Sequence, residues 1–279
     1  MKQILLMLLG TSLALTQGAH ALVHDYSRGK FNEQKFAQLG DEYLAKVVEL
    51  NLDSNFLTHF PAILQRMPNL QELSLENNKI DSFEGIPTLT KLKKLKLREN
   101  KIKSFEGMPA LASLQQLSLD KNQIDSFKYM PTLTNLTILL LKNNRLESFE
   151  HMPVLTDLQH LWLDDNKIDS FKHMPVLTSL QQLQLSNNLI GSFEFMPALA
   201  SLQELKLNDN KIKSFEGMPA LANLEYLWLV NNQISSFEGM PALTNLRWLL
   251  VTANRISATI LNAWKQQHPG VRTEVKMNY

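Results

Sequence analysis

The sequence predicts an α/β repeat protein. We expect a right-handed solenoid with a curved parallel β-sheet on its concave face and extended or 3-10 segments on its convex face. An Asn closes each of ten leucine-rich segments, spaced once by 23 residues and then eight times by 22. A unit of this length is too short to form its own core, so stacked units must share one. The asparagines are Asn55, Asn78, Asn100, Asn122, Asn144, Asn166, Asn188, Asn210, Asn232 and Asn254.

Each part of the repeat has a predicted place in the solenoid. The consensus is LxxLxLxxNxIxSFxxMPxL, and residues 202–221 match it throughout. The LxL alternation predicts a short strand whose leucines share one face. The Asn turns the chain away from the strand, since its amide can both donate to and accept from backbone groups that the turn leaves unpaired. The Met-Pro pair starts the return segment, in which proline prevents a long helix.

A second column of recurring side chains predicts an apolar spine opposite the sheet. A Phe occupies the same position in eight consecutive repeats. Stacked side chains at a fixed repeat position are expected to be core rather than a cofactor site. These residues are Phe83, Phe105, Phe127, Phe149, Phe171, Phe193, Phe215 and Phe237.

The two ends of the chain differ from the repeats and are predicted to cover them, since an open edge strand invites aggregation. We expect ten repeats over residues 47–256. An N-terminal cap of short helices is expected over residues 22–46 and a C-terminal cap over residues 257–279. Within the second cap, residues 260–267 are expected to form a helical turn or two, and the alternation over residues 271–277 predicts a half-buried strand.

Residues 1–21 predict a secretory signal peptide. Lys2 supplies the positive charge, residues 4–15 form an apolar stretch too short to span a bilayer, and residues 19–21 have the small side chains of a cleavage site. The mature chain is then expected to begin near Leu22, and the protein to be exported, either secreted or periplasmic. An uncleaved anchor is the alternative.

Composition excludes several classes of function. The chain has 28 basic and 27 acidic residues, and loss of Lys2 with the signal would leave 27 of each. A neutral chain is a poor candidate for nucleic acid binding, which depends on neutralising phosphates. No further stretch is long and apolar enough to span a membrane. The absence of cysteine excludes a thiolate metal site and a cysteine nucleophile.

Motifs of catalysis are also missing. The sequence has no Ser/His/Asp spacing, no phosphate-binding Gly loop and no HExxH motif. We therefore expect a protein that is not an enzyme and that holds no cofactor and no metal. The adjacent Asp164 and Asp165 end a predicted strand, and we expect Asp164 on the inner sheet, away from the outward-pointing His173.

The ten copies of LxxLxLxxN resemble the leucine-rich repeat family over about residues 47–256. The 22-residue form, with Ile and Phe after the Asn, resembles the repeats of bacterial internalins. It is also similar to the repeats of a eukaryotic protein-phosphatase regulatory subunit, but the predicted signal peptide favours the exported group. The resemblance implies protein binding on the concave sheet. Because the sequence has no LPxTG anchor and no immunoglobulin-like module after the repeats, we expect a free exported protein rather than a wall-attached adhesin.

The predicted binding surface is the concave side of the sheet. The residues between and just after the strand leucines point outward there, and apolar or aromatic side chains at such positions indicate an interface, above all Trp and Tyr. The candidate partner-binding residues are Ile138, Leu140, His160, Trp162, Tyr226, Trp228 and Trp248. One alternative is that the C-terminal cap covers the last of these side chains. Another is that the row of Trp stacks on sugars, which would make the ligand a glycan.

Charged residues at the first turns of the same face have a simpler interpretation. Glu72 and Glu76 lie near Lys94, Lys96 and Arg98 in the predicted sheet. We expect cross-strand ion pairs on a solvated surface, each worth under about 1 kcal/mol.

On the outer side, one column of residues changes character in the middle of the solenoid. His151 and His173 lie at the same position of adjacent turns and could approach within about 5 Å. Two ligands make a weak metal site, however, so we expect a solvated ridge. The column, two residues after each Phe, consists of Gly85, Gly107, Tyr129, His151, His173, Phe195, Gly217 and Gly239.

Overall fold

The computed structural model describes residues 22–273, which form a single sheet of eleven parallel strands arranged in the order of the sequence. The signal peptide predicted at residues 1–21 lies outside the described residues, as do residues 274–279, which include the last part of the strand predicted at residues 271–277. The strands are β1 (Leu22–Asp25), β2 (Val47–Asn51), β3 (Glu72–Ser74), β4 (Lys94–Lys96), β5 (Gln116–Ser118), β6 (Ile138–Leu140), β7 (His160–Trp162), β8 (Gln182–Gln184), β9 (Glu204–Lys206), β10 (Tyr226–Trp228) and β11 (Trp248–Leu250).

The asparagine column closes each turn as the sequence predicts. The Asn166 side-chain amide donates to the carbonyls of Leu141, Leu163 and Asp164 at 2.9, 3.0 and 3.3 Å, and its Oδ1 accepts from the Leu146 N–H at 3.0 Å. One side chain therefore joins its own strand exit to the turn before it. The same pattern recurs from Asn78 to Asn254, so the column is a structural ladder rather than a ligand site.

The phenylalanine column forms the predicted spine. Rings of neighbouring turns stack at centroid distances of 6.0–6.5 Å, and those from Phe83 to Phe215 are fully buried. Phe60 extends the stack at 6.3 Å from Phe83, although the sequence around it departs from the consensus. Since strands of a sheet lie only about 4.8 Å apart, the wider pitch of the rings curves the solenoid and makes the sheet its concave face.

The return segments are extended and carry isolated turns. In a typical repeat the Met174 N–H bonds to the Phe171 carbonyl and the Leu180 N–H to the Leu177 carbonyl, each a three-residue turn. Among the described residues, a 3-10 helix forms only at Ala62–Arg66. The predicted convex side of extended and 3-10 structure is confirmed.

The N-terminal residues cover the first repeat with both a strand and helices. Strand β1 pairs in parallel with β2, which the sequence analysis did not predict. Helices α1 (Glu33–Ala37) and α2 (Asp41–Leu44) follow. The buried Tyr26 ring meets Phe36 of α1 edge-on at 4.5 Å, so this segment has a small aromatic core that seals the end of the solenoid.

At the other end, helix α3 (Ala258–Gln267) packs over the last repeat. Ser257 caps it by accepting a hydrogen bond from the Ile260 N–H, and Trp264 stacks on Phe237 at 4.8 Å, which terminates the Phe spine. Arg272 then forms a parallel bridge with Trp248 at the outer edge of β11. No helix within residues 22–273 is long and apolar enough to cross a membrane.

Candidate binding face on the concave sheet

Strand register groups the candidate residues into two blocks. In the central block, Ile138 pairs with His160 and Leu140 pairs with Trp162 across β6 and β7. All four side chains are half-buried and share the concave side of the sheet. The sequence therefore predicted four neighbours correctly from repeat spacing alone.

The C-terminal block has the same construction on β10 and β11. Tyr226 pairs with Trp248 and Trp228 pairs with Leu250. Between the two blocks lie β8 and β9, whose concave positions are polar. Trp162 and Trp228 are three strand spacings apart, about 14 Å, so the concave face has two separate apolar patches instead of one continuous row.

Trp162 is part of a charged cluster. The Lys142 ammonium lies 4.4 Å from the centre of the Trp162 ring and 2.8 Å from the Asp164 carboxylate. It also donates to Gln184 Oε1 at 2.7 Å. Because the Lys142 side chain is 28% exposed and that of Asp164 only 12%, this ion pair is more strongly shielded than a surface pair. Lys142 was not among the predicted binding residues, which were chosen as apolar or aromatic anchors, although the repeat register that pairs Leu140 with Trp162 places residue 142 beside residue 164.

The other two concave tryptophans also lie beneath cations. Lys206 lies over the Trp228 ring at 5.2 Å and pairs with Glu204 at 2.7 Å. The Arg272 guanidinium lies over Trp248 at 5.3 Å. Arg272 belongs to the C-terminal segment. The alternative interpretation, that the C-terminal cap covers the last of the candidate side chains, therefore applies to Trp248.

Three polar atoms in these blocks lack partners. The indole N–H groups of Trp162 and Trp228 and Nδ1 of His160 are shielded from solvent and make no hydrogen bond within the described part of the chain. An unpaired buried donor costs about 1–3 kcal/mol. The folded sheet thus keeps unsatisfied hydrogen-bonding capacity at both apolar patches.

The first turns of the concave face carry the predicted ion pairs. Glu72 lies 2.5 Å from the Lys96 ammonium and 3.3 Å from that of Lys94. Burial opposes ionisation of Glu72, but the hydrogen bonds and charges of the two lysines outweigh it and lower the pKa of its carboxyl. The prediction is confirmed for Glu72 but not for Glu76, since Arg98 pairs with Glu99 at 3.3 Å and Glu76 forms no ion pair within residues 22–273.

Acidic residues at the strand exits have a structural role that the sequence analysis did not assign. Asp120 Oδ1 accepts the Lys142 backbone N–H at 2.7 Å, and Asp164 Oδ1 accepts that of Ser186 at 2.8 Å. Asn208 does the same for Val230 at 2.9 Å. The recurrence of Asp or Asn two residues before the conserved Asn was the available signal. Burial raises the pKa of Asp120 above its ordinary value, since the charged form loses hydration there.

The four bulky residues of the outer column have a left-handed backbone conformation. Tyr129, His151, His173 and Phe195 have φ of 67°, 63°, 65° and 63°, the left-handed region that the glycines of the flanking repeats also occupy. Tyr129 and Phe195 are 57% and 62% exposed. Among residues 22–273 no three His, Cys, Asp or Glu side chains come together as a metal site would require. His151 and His173 are exposed and lie on the outer side of the solenoid, not on the concave sheet that carries Trp162.

Comparison with known proteins agrees with the repeat geometry. A family model described as two copies of leucine-rich repeats matches residues 178–221, and a single leucine-rich repeat model matches residues 69–92. The sequence matches no curated protein significantly.

Solved structures share the fold at low sequence identity. An internalin from Listeria monocytogenes matches with a TM-score of 0.71 and 20% identity, covering 88% of this chain and 85% of its own. The leucine-rich repeat domain of FLRT2, solved in an octameric complex with Latrophilin 3 and Unc5D, gives a TM-score of 0.65 and 23% identity, covering 85% and 84%. The LRIM1/APL1C complex gives 0.58 and 20%, covering 92% of this chain and 57% of the matched one.

The repeats, their register and these matches define the class of protein. The chain has the leucine-rich repeat fold, a solenoid of parallel strands with a concave sheet, and leucine-rich repeat models match two of its segments. Within that class its fold is of the internalin-like type.

Proposed function

We propose that this protein is a non-catalytic, exported protein-binding module whose ligand docks on the concave sheet around Trp162. The observation that carries the proposal is the cluster of Trp162, Lys142 and Asp164 beside Leu140 and His160. It combines an aromatic anchor with a shielded ion pair at the centre of a curved surface. Interface hot spots are enriched in Trp and cluster near the centre of the contact surface.

Shielded donors support a polar component of the contact. The Trp162 and Trp228 indole N–H groups have no acceptor among the described residues. A backbone carbonyl of a protein ligand can supply one once the covering lysine side chain moves aside. Binding then recovers the cost of an unpaired donor, which adds specificity to the apolar contact.

The cations over the rings favour a protein over a glycan. A sugar stacks on an open aromatic face, but the faces of Trp162, Trp228 and Trp248 lie beneath Lys142, Lys206 and Arg272. A protein ligand can instead pair a carboxylate with the lysine and pack an apolar side chain beside the ring. Glycan binding stays the second candidate, because tryptophans recur on the face.

Two of the solved relatives in fold were determined as complexes with other proteins, FLRT2 and LRIM1/APL1C. Protein binding by this chain is consistent with them. The proposed partner lies outside the cell that makes the protein, on a host or envelope surface, because residues 1–21 have the composition of a signal peptide.

The test is capture of partners by immobilised protein, with Trp162→Ala and Trp228→Ala as variants. Trp162→Ala is expected to weaken affinity by about 30-fold or more, the effect of about 2 kcal/mol at a hot spot. Phe56→Ala is the matched control, since Phe56 also lies beneath a lysine, Lys79 at 5.2 Å, but in the turn after β2.

A glycan array probed with the same variants separates the two candidates. Binding of a glycan that depends on Trp162, with no protein captured, would replace the proposal by its alternative. Equal protein capture by the wild type and by a correctly folded Trp162→Ala variant would show that the ligand does not bind at the concave site around Trp162. Export is tested separately by sequencing the N-terminus of the protein recovered outside the cell, where Leu22 is the expected first residue.

A further inference from the structure

The convex ridge, formed by Tyr129, His151, His173 and Phe195, has no role in the concave site. These four side chains lie on consecutive turns at a position where the flanking repeats carry glycine. A left-handed backbone favours glycine and is strained by any side chain. Phe195 and Tyr129 are nevertheless largely exposed, so packing within the chain does not compensate for the strain. Large side chains that stay exposed in the monomer indicate an interaction surface.

The charges beside the convex ridge alternate in sign. The residue before each ridge residue is, in order, Lys128, Glu150, Lys172 and Glu194, and all four are exposed. In the flanking repeats the same position is always Glu. Lysine therefore occupies this position only at Lys128 and Lys172, in two of the four turns that carry the convex ridge.

This pattern is complementary to itself. A twofold axis that lies in the contact plane and runs perpendicular to the solenoid axis reverses the order of the repeats but keeps each position within the repeat. Lys128 of one copy then faces Glu194 of the second copy, and Glu150 faces Lys172 of the second copy. By the same rotation Tyr129 faces Phe195 of the second copy.

We propose that the convex ridge is the interface of a back-to-back, antiparallel homodimer of this chain. Both ion pairs occur twice in such a dimer, as an isologous contact requires. The Tyr129–Phe195 pairs lie at the two ends of the contact beside the Lys128–Glu194 pairs, and His151 of one copy meets His173 of the second copy at the centre.

Neighbouring positions determine the direction in which the contact extends. Downstream of the convex ridge, Val154 faces Val176 of the second copy, and both are more than half exposed. Upstream, Glu147 would face Asp169 of the second copy, which places like charges together. The contact therefore extends over the uncharged residues that follow the convex ridge and not over those that precede it.

In the free chain Lys128 and Glu150 each contact the ridge residue that follows them in the sequence. The Lys128 ammonium lies 4.8 Å from the centre of the Tyr129 ring, and the Glu150 carboxylate lies 3.6 Å from His151 Nε2. Dimerisation redirects these exposed groups across the twofold axis without unfolding any element. Both concave faces then point away from each other, so the dimer presents two binding sites to a multivalent surface.

Sedimentation velocity from about 1 µM to about 500 µM tests the proposal, a range suited to a small interface. A concentration-dependent dimer that grows no larger is expected. Glu150→Lys and Lys172→Glu should each yield monomers, because each places like charges opposite one another. An equimolar mixture of the two variants should recover the dimer, since every Lys then faces a Glu. The variant carrying both substitutions should recover it as well.

A second pair of substitutions separates association from folding. Tyr129→Gly combined with Phe195→Gly should abolish the dimer and raise the melting temperature, because glycine accepts the left-handed backbone. A monomeric wild type over the whole range, growth beyond a dimer, or variants that dimerise like the wild type would each overturn the proposal. So would a mixture of Glu150→Lys and Lys172→Glu that stays monomeric.

Discussion

At the residue scale, the fold depends on side chains that form hydrogen bonds with backbone groups left unpaired at each strand exit. Asn166 makes four hydrogen bonds to two successive turns, and it is buried. Asp120 and Asp164 each accept a backbone N–H from the next turn. The strands have only three residues in most repeats, so these side chains supply bonds that short strands cannot.

Asn166→Ala is expected to destabilise the protein by at least about 1–3 kcal/mol, since it leaves buried carbonyls and one N–H without partners. Chemical denaturation monitored by circular dichroism measures the change. Gln203→Ala is the control, because Gln203 is an exposed amide two turns further along the solenoid. Equal stability of the two variants would contradict the structural role of the column.

Asp120→Asn is expected to stabilise the protein at neutral pH. Burial raises the pKa of Asp120 above the ordinary 3.8, so the ionised carboxylate destabilises the folded state. That penalty is absent below pH 3.8, grows as the pH rises through the raised pKa, and is complete above it. Asn keeps the acceptor for the Lys142 N–H, as Asn208 shows at the same repeat position.

Denaturation of Asp120→Asn and wild type at a series of pH values checks this sign. The stability difference should be largest near neutrality and shrink on acidification. Asp157→Asn, at an exposed position, is the control and should show no such trend. A variant less stable than the wild type at neutral pH would contradict the burial argument.

At the scale of elements, the Phe spine and the sheet impose different pitches on the same repeat. Rings 6.0–6.5 Å apart oppose strands about 4.8 Å apart, and the difference curves the solenoid. α3 ends the spine by placing Trp264 against Phe237. At the other end the segment from β1 to α2 encloses its own aromatic cluster.

Phe171→Ala is expected to cost about 3–5 kcal/mol, because it removes a fully buried ring from the middle of the spine. Phe195→Ala, two dozen residues further on but 62% exposed, should change stability by less than about 0.5 kcal/mol. Denaturation midpoints at low protein concentration compare the two. Comparable losses would mean that the two Phe positions do not separate into core and surface.

The repeat made most of these elements predictable. Asn166 and Phe171 recur at fixed positions, and a fixed spacing determines both burial and strand register. β1 was not predictable, since residues 22–25 match no repeat and pair with β2 only through the tertiary fold. The covering of Trp162 by Lys142 depends on side-chain conformation across two turns, which periodicity does not determine.

At the scale of the whole molecule, the concave and convex faces each carry their distinctive side chains in a limited set of turns. Apolar residues concentrate on the concave sheet at β6–β7 and β10–β11. The bulky convex residues span the turns from Tyr129 to Phe195. The proposed ligand site at Trp162 lies on the opposite side of the sheet from the proposed dimer contact, so both can be occupied together.

The most direct test of the concave site is photo-cross-linking with the probe placed at Leu140, which pairs with Trp162. The matched probe replaces Lys213, which is exposed and outside the sheet. We predict a protein adduct from position 140 that is lost when Trp162→Ala is added, and none from position 213. Equal adducts from both positions, or an adduct at 140 that survives Trp162→Ala, would contradict protein binding at this face.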